Sequence, residues 1–391
     1  MKIQTPYTPV YFLSSLWAGW LVVTFFMYLM FMTKHSGPIP TYDTLIPYFN
    51  NLNTDGSSIF FISLITIACV GMIYFAVKHY QFLIFNLIHY IEFKRTKEFE
   101  KLKTTNAEVS LMTIPLTLAM SINVAFMLGA VFVPKLWTVV EYLFPAALLG
   151  FLAVGIYALK IFGEYFTRII LKWDFDFVEN NNLSQMLSIF AFAMVWVGFA
   201  APAAMSNNTI TIALAMVWTI FFITIAVFFA IIKVVLWFKS ILRHGIAEES
   251  SPTLWIMIPI LTVICISFVR QKHWLHTWFD SQLEAGSLFV ITTVIISIQL
   301  IFGFIGYKVM RANKYFVNYL NGDKKSPTSY ALICPWVAIF VSAFFFLHLW
   351  FVKTGILLKF SPLYFLLLLP LVYIQIKTIM VLAKLNSKLL K

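Results

Sequence analysis

The sequence predicts an all-α integral membrane protein of about ten transmembrane helices, and three observations carry that prediction. Of its 391 residues, 61% are hydrophobic and only 11% are charged, where a soluble domain is about half apolar and a quarter charged. The apolar residues gather in stretches of about 20, enough to cross a hydrocarbon layer of roughly 30 Å. The basic residues fall unevenly about those stretches, as they do around membrane helices. Together these exclude an ordinary soluble enzyme. A net charge of +12 would point a soluble chain toward nucleic acid; here it reads as topology, the partner is the lipid bilayer, and no nucleic acid is expected.

A window of about 19 residues places spans near 9–32, 58–77, 109–133, 138–162, 185–205, 209–238, 253–269, 283–307, 329–352 and 361–385. The first is followed by no small-residue cleavage site and is too long for the apolar region of a signal peptide, so it reads as a retained span. Third and fourth spans are separated by Val133 to Leu136, fifth and sixth by Ser206 to Asn208, links that force antiparallel hairpins. With both termini in the cytoplasm, 22 of the 28 basic residues lie on that side, leaving Lys34, Lys135, Arg270, Lys272, Lys353 and Lys359 opposite. This positive-inside asymmetry supports an even number of spans in a cell membrane, plasma or inner. The chain is read as one transmembrane domain, 1–391, with 78–108 as a cytoplasmic connection. The half of that connection from Gln81 is apolar and its second half charged, which suits a cytoplasmic extension of span two lying along anionic headgroups.

Functional chemistry is sparse. The three cysteines, Cys69, Cys265 and Cys334, form neither a disulfide framework nor a zinc pattern. One deep histidine, His348, cannot supply the facing axial pair of a haem bundle, and no cofactor is expected. Carboxylates are nearly absent from mid-membrane, with Glu141 near an outer end and Glu164 near an inner one; carriers of protons and cations commonly place Asp or Glu at mid-depth, so their scarcity leans toward anions or neutral solutes. Prolines fall mostly in odd spans: Pro115, Pro202, Pro259 and Pro335. A proline inside a helix frees a carbonyl that protein or a water-filled cavity must satisfy, so kinks at Pro115, Pro202 and Pro259 suggest an inner layer of odd helices. Ser121, Thr262 and Ser342 on those helices are candidates to line a pore, although such groups also serve as helix-packing glue.

Several stretches resemble the family that contains the tellurite-resistance protein TehA, fungal malate and sulfite transporters, and the slow-type anion channels of plant guard cells. They are Thr8-Pro-Val-Tyr-Phe, Glu108 through Pro134, Ser251-Pro-Thr-Leu-Trp-Ile-Met-Ile-Pro259 and Ile376-Lys377-Thr378. The resemblance implies five helical hairpins in a ring around a central pore lined by odd-numbered helices, often assembled as a homotrimer. It implies passage of small anions of the chloride, nitrate, sulfite or C4-dicarboxylate class. In such channels a phenylalanine before a proline or glycine on the ninth helix plugs the pore. The matching pair here is Cys334-Pro335, so Cys334 takes the plug position, with Trp336 or Phe340 as neighbouring obstructions. A proton-coupled dicarboxylate or sulfite exporter is the alternative, with His348, Lys377 or Glu141 titrating; a membrane-bound redox enzyme subunit would need catalytic clusters that the sequence lacks.

Overall fold

A computed structural model describes residues 2–52, 56–172, 183–279 and 285–390; within these, the side chains at 56–57, 272–279, 285, 287 and 334 lie outside the description. Among the described residues, ten helical spans are long and apolar enough to cross a bilayer: α1 (Pro9–Met32), α2 (Ser58–Phe93), α3 (Asn106–Phe132), α4 (Leu136–Lys172), α5 (Leu183–Met205), α6 (Thr209–His244), α7 (Ser251–Gln271), α8 (Leu288–Ala312), α9 (Pro327–Val352) and α10 (Pro362–Leu389). The chain is a multi-pass membrane protein. Among the described residues there is no β-strand, only an isolated bridge between Ile3 and Leu390. The Gln4 N–H also donates to the Leu389 carbonyl at 3.1 Å, so both termini meet at one end of the bundle, here the terminal end.

Burial divides the spans by parity. Between 50% and 94% of the most apolar window is buried in the odd spans, against 17% to 33% in the even ones. The reason lies in the side chains. Helix α1 is apolar on every face and buries nearly all of them, whereas α6 leaves Ile210, Leu214, Val217 and Ile231 exposed, an apolar face for lipid to cover. Each odd span packs against the even span that follows it. Helix α1 also touches α3, α3 touches α5, α5 touches α7, α7 touches α9 and α9 returns to α1. Close approach depends on small residues: at Gly198 of α5 an added Cβ would meet the ring of Phe151 from α4, and at Gly155 of α4 the ring of Phe222 from α6.

All five odd spans open at the terminal end with a 3-10 stretch: Pro9–Tyr11, Asn106–Met112, Leu183–Met186, Ser251–Ile256 and Pro327–Leu332. These stretches touch one another in the same succession as their helices. The α-helical parts then begin at Thr113, Met257 and Cys334 in α3, α7 and α9, which puts Pro115, Pro259 and Pro335 in the first turn. There the bonding changes from i−3 to i−4, and a missing N–H and fixed φ fit a helix start. The expected mid-helix kinks at Pro115 and Pro259 are thus corrected to helix starts; of the odd-span prolines named, Pro202 alone lies inside an α-helical stretch.

The connection after α2 begins as an extension of that helix. The apolar half expected to lie along the headgroups continues α2 without a break to Phe93, followed by a turn and the short helix Lys97–Leu102. Phe82 and Leu83 stay buried beyond the predicted end, and Asn86 is held by its amide donating to the Phe82 carbonyl at 2.8 Å and facing Ser14 Oγ at 3.4 Å. One face of the extension packs inside the protein, while its Ile84, Ile88 and Ile91 stay exposed.

Candidate functional site

Away from the terminal end, the odd spans enclose a cavity of about 380 Å³. Every odd span contributes: Trp20 and Met27 from α1, Met120 and Asn123 from α3, Met194 and Pro202 from α5, Val263 and Arg270 from α7, Phe345 and Lys353 beside α9. Among the described residues its only charged lining residues are Arg270 and Lys353, both cationic. The Arg270 guanidinium donates through Nη1 to the Val197 carbonyl at 2.8 Å, and among the described residues no carboxylate lies within 4.0 Å of it. A guanidinium has five N–H donors, so this bond orients it without exhausting its capacity.

A smaller recess of about 50 Å³ lies on the terminal side of the same helices, lined by Leu13 and Trp17 of α1, Phe190 of α5, Thr253 and Ile256 of α7 and Ala331 of α9. Among the described residues no carboxylate lines either space. The ring of Trp17 stacks on Phe190 with centroids 6.2 Å apart and 29° between planes. Trp20, one turn further along α1, lines the large cavity. The indole N–H groups of Trp17 and Trp20 are buried without acceptors, an arrangement that costs about 1–3 kcal/mol each when nothing satisfies the group.

The residues singled out from sequence lie as follows. Pro202 lines the large cavity. Thr262 and Ser342 face each other at 2.9 Å across α7 and α9, Thr262 donates to the Ala338 carbonyl, and the Gln299 amide of α8 donates to both hydroxyls; this is an interhelical seam, and neither side chain lines either space. Ser121 stands 2.8 Å from His79 Nε2 at the contact of α2 with α3. Trp336 packs edge-on against Trp255, whose indole donates to Gly303 of α8, which turns that pair away from both spaces. Phe340 is fully buried between Tyr28 and Phe344. Cys334, as a side chain, lies outside the described residues; Pro335 sits beside it in the first turn of the α-helical part of α9.

Of the titrating candidates, His348 turns Nδ1 to the Phe344 carbonyl at 2.8 Å, which only an N–H can do, so Nε2 accepts from the Tyr364 hydroxyl at 2.9 Å. Lys377 is exposed on α10, over the ring of Tyr373. Glu141 ties the end of α4 to the α5–α6 link, accepting from Ser206 Oγ at 2.6 Å and the Asn207 backbone N–H at 2.7 Å. None of the three lines the large cavity or the recess.

Sequence reasoning missed three buried polar groups. His79, read as lying just past the second span, donates from Nδ1 to the Ser15 carbonyl at 2.8 Å inside the bundle. Glu108, placed in a connection, is buried and pairs with Arg168 Nε at 2.8 Å. Gln299 joins α8 to α7 and α9. Each sits at a predicted span boundary or is neutral, so hydropathy averaging hides it. Arg270 carried a usable signal: it is one of only six basic residues on its side, and it directly follows an apolar span. Comparison of the chain with family models, with curated proteins and with solved structures finds no match.

Proposed function

We propose that the protein moves small anions across a membrane along a path between the odd-numbered helices. One observation carries the reading: all five odd spans border one cavity whose only charges among the described residues are the cations Arg270 and Lys353. A pore for cations would be expected to present carboxylates there. The cyclic succession of contacts among odd helices supports five hairpins arranged in a ring, with the even spans as the lipid-facing layer. The excess of basic residues at the terminal end supports cytoplasmic termini, which makes the large cavity the outer vestibule and the recess the inner one. The stack of Trp17 on Phe190 then closes the path between them, so the obstruction in this chain belongs to α1 and α5.

In this mechanism an anion is drawn by the positive potential of Arg270 and Lys353, sheds water in the vestibule and exchanges it for donors along α1, where two indole N–H groups lack acceptors. Displacement of the aromatic stack permits passage. Purified protein in liposomes, under an imposed voltage and then an imposed pH gradient, tests this. Chloride or nitrate flux that follows voltage and ignores pH supports a channel; uphill flux driven by pH replaces it with the coupled exporter; no anion flux under either force overturns transport.

A further inference from the structure

We infer that the outer vestibule binds an amphipathic organic anion, a monocarboxylate with an apolar body of several carbons, with its head at Arg270. The inference deepens the transport reading and rests on it for the consequence that such acids are carried. The cavity of about 380 Å³ joins one cationic corner to walls of methionine and phenylalanine, among them Met27, Met120, Met194 and Phe126. Among the described residues its only side-chain amide, Asn123, already donates to the Ala119 carbonyl at 3.1 Å. A chloride-sized ion at Arg270 would leave the apolar volume unused and would find few donors to replace its water. A carboxylate suits the guanidinium, which matches it as a planar two-pronged donor. The hydrocarbon body gains by leaving water, and flexible thioether walls adapt to bodies of different shape. The single bond from Nη1 to Val197 leaves donors for the carboxylate, and no described carboxylate competes within 4.0 Å.

The test is a titration of the purified full chain with straight-chain acids from acetate to octanoate, alongside the variants Arg270→Gln and Ala204→Phe; Ala204 is a wall residue. Affinity is expected to rise about fourfold per methylene, the effect of burying one such group. Arg270→Gln lowers affinity for every acid by about tenfold or more with the slope kept. Ala204→Phe flattens the series at its long end. Octanoate binding no tighter than acetate, an affinity that Arg270→Gln leaves unchanged, or a slope that Ala204→Phe leaves unchanged, overturns the site. Flux in the same liposomes separates the two readings. Acids that bind with this slope while no anion crosses sink transport and leave the site. Chloride flux with no dependence on chain length sinks the site and leaves transport.

Discussion

Trp17 of α1 lies on Phe190 of α5, ring centroids 6.2 Å apart and 29° between planes, and both rings line the recess at the terminal end of the odd helices. An aromatic pair of this kind is worth about 0.5–1.5 kcal/mol beyond its buried area. Removing it by Trp17→Ala or Phe190→Ala is expected to shift an open–closed equilibrium by about fivefold, the equivalent of about 1 kcal/mol, and to raise anion conductance in planar bilayers accordingly. Trp336→Ala, which deletes a ring packed on Trp255, is expected to leave conductance unchanged. The reverse pattern would move the obstruction to α9.

Accessibility distinguishes the vestibule from the seams between helices. In a background without the native cysteines, a cysteine at Ala201, a wall residue, is expected to react with a small charged thiol reagent added from outside. Cysteines at Thr262 and Ser121, both buried and hydrogen-bonded between helices, are expected to stay unmodified over the same period. Fast labelling at Thr262 would mean that the seam between α7 and α9 is wet.

Glu108 and Arg168 form a largely buried pair at 2.8 Å, and Arg168 also donates to the Thr105 carbonyl at 2.9 Å. Breaking a buried pair from one side typically costs about 3–5 kcal/mol. Glu108→Ala is therefore expected to lower thermal stability in detergent strongly, whereas breaking the exposed contact of Lys103 with Glu164 at 3.5 Å costs under about 1 kcal/mol. Equal shifts in melting temperature for the two variants would contradict the assignment.

A third pair lies at the terminal end outside the spans. The Glu248 carboxylate accepts from Asn318 Nδ2 at 2.7 Å and from Lys324 Nζ at 2.9 Å, tying the link before α7 to the segment after α8. Those hydrogen bonds, from Asn318 first and then Lys324, hold the Glu248 carboxyl below its ordinary value of 4.5, and the bond to Glu248 holds the Lys324 amine above its ordinary 10.5. The carboxylate's contribution is complete above pH 4.5 and disappears as pH falls through its lowered value. The amine's is complete below pH 10.5 and disappears as pH rises through its raised value. Glu248→Gln is expected to make local hydrogen exchange in 313–325 less dependent on pH at both extremes. An unchanged pH profile would mean that this tie does not order the segment.

How much was legible follows from what each signal averages over. Ten apolar stretches and the uneven placement of 28 basic residues specify spans because each stretch must match the bilayer by itself, with no help from its neighbours. Parity of burial was only hinted at by prolines, and the hint was mechanically different from the outcome: Pro115, Pro259 and Pro335 begin helices after 3-10 stretches. Ends of spans were least legible. Phe82, Leu83 and Asn86 are buried in the extension of α2, Asn86 against Ser14 of α1, a contact that no local window contains.

The amino-acid sequence by itself determined an all-helical, ten-span membrane chain, because the cost of an unsatisfied backbone in hydrocarbon applies to each segment separately. Tertiary structure alone decided which polar groups face a cavity and which bind helices together. Thr262, Ser342 and Ser121 look alike in sequence to a pore-lining hydroxyl, yet partners from other helices occupy them. Arg270 looks like a loop charge, yet α1, α3, α5 and α9 bring their apolar side chains around the same cavity. The physical reason is that a side chain's role here depends on which helix stands opposite it, and that is set by the packing of segments distant in the chain.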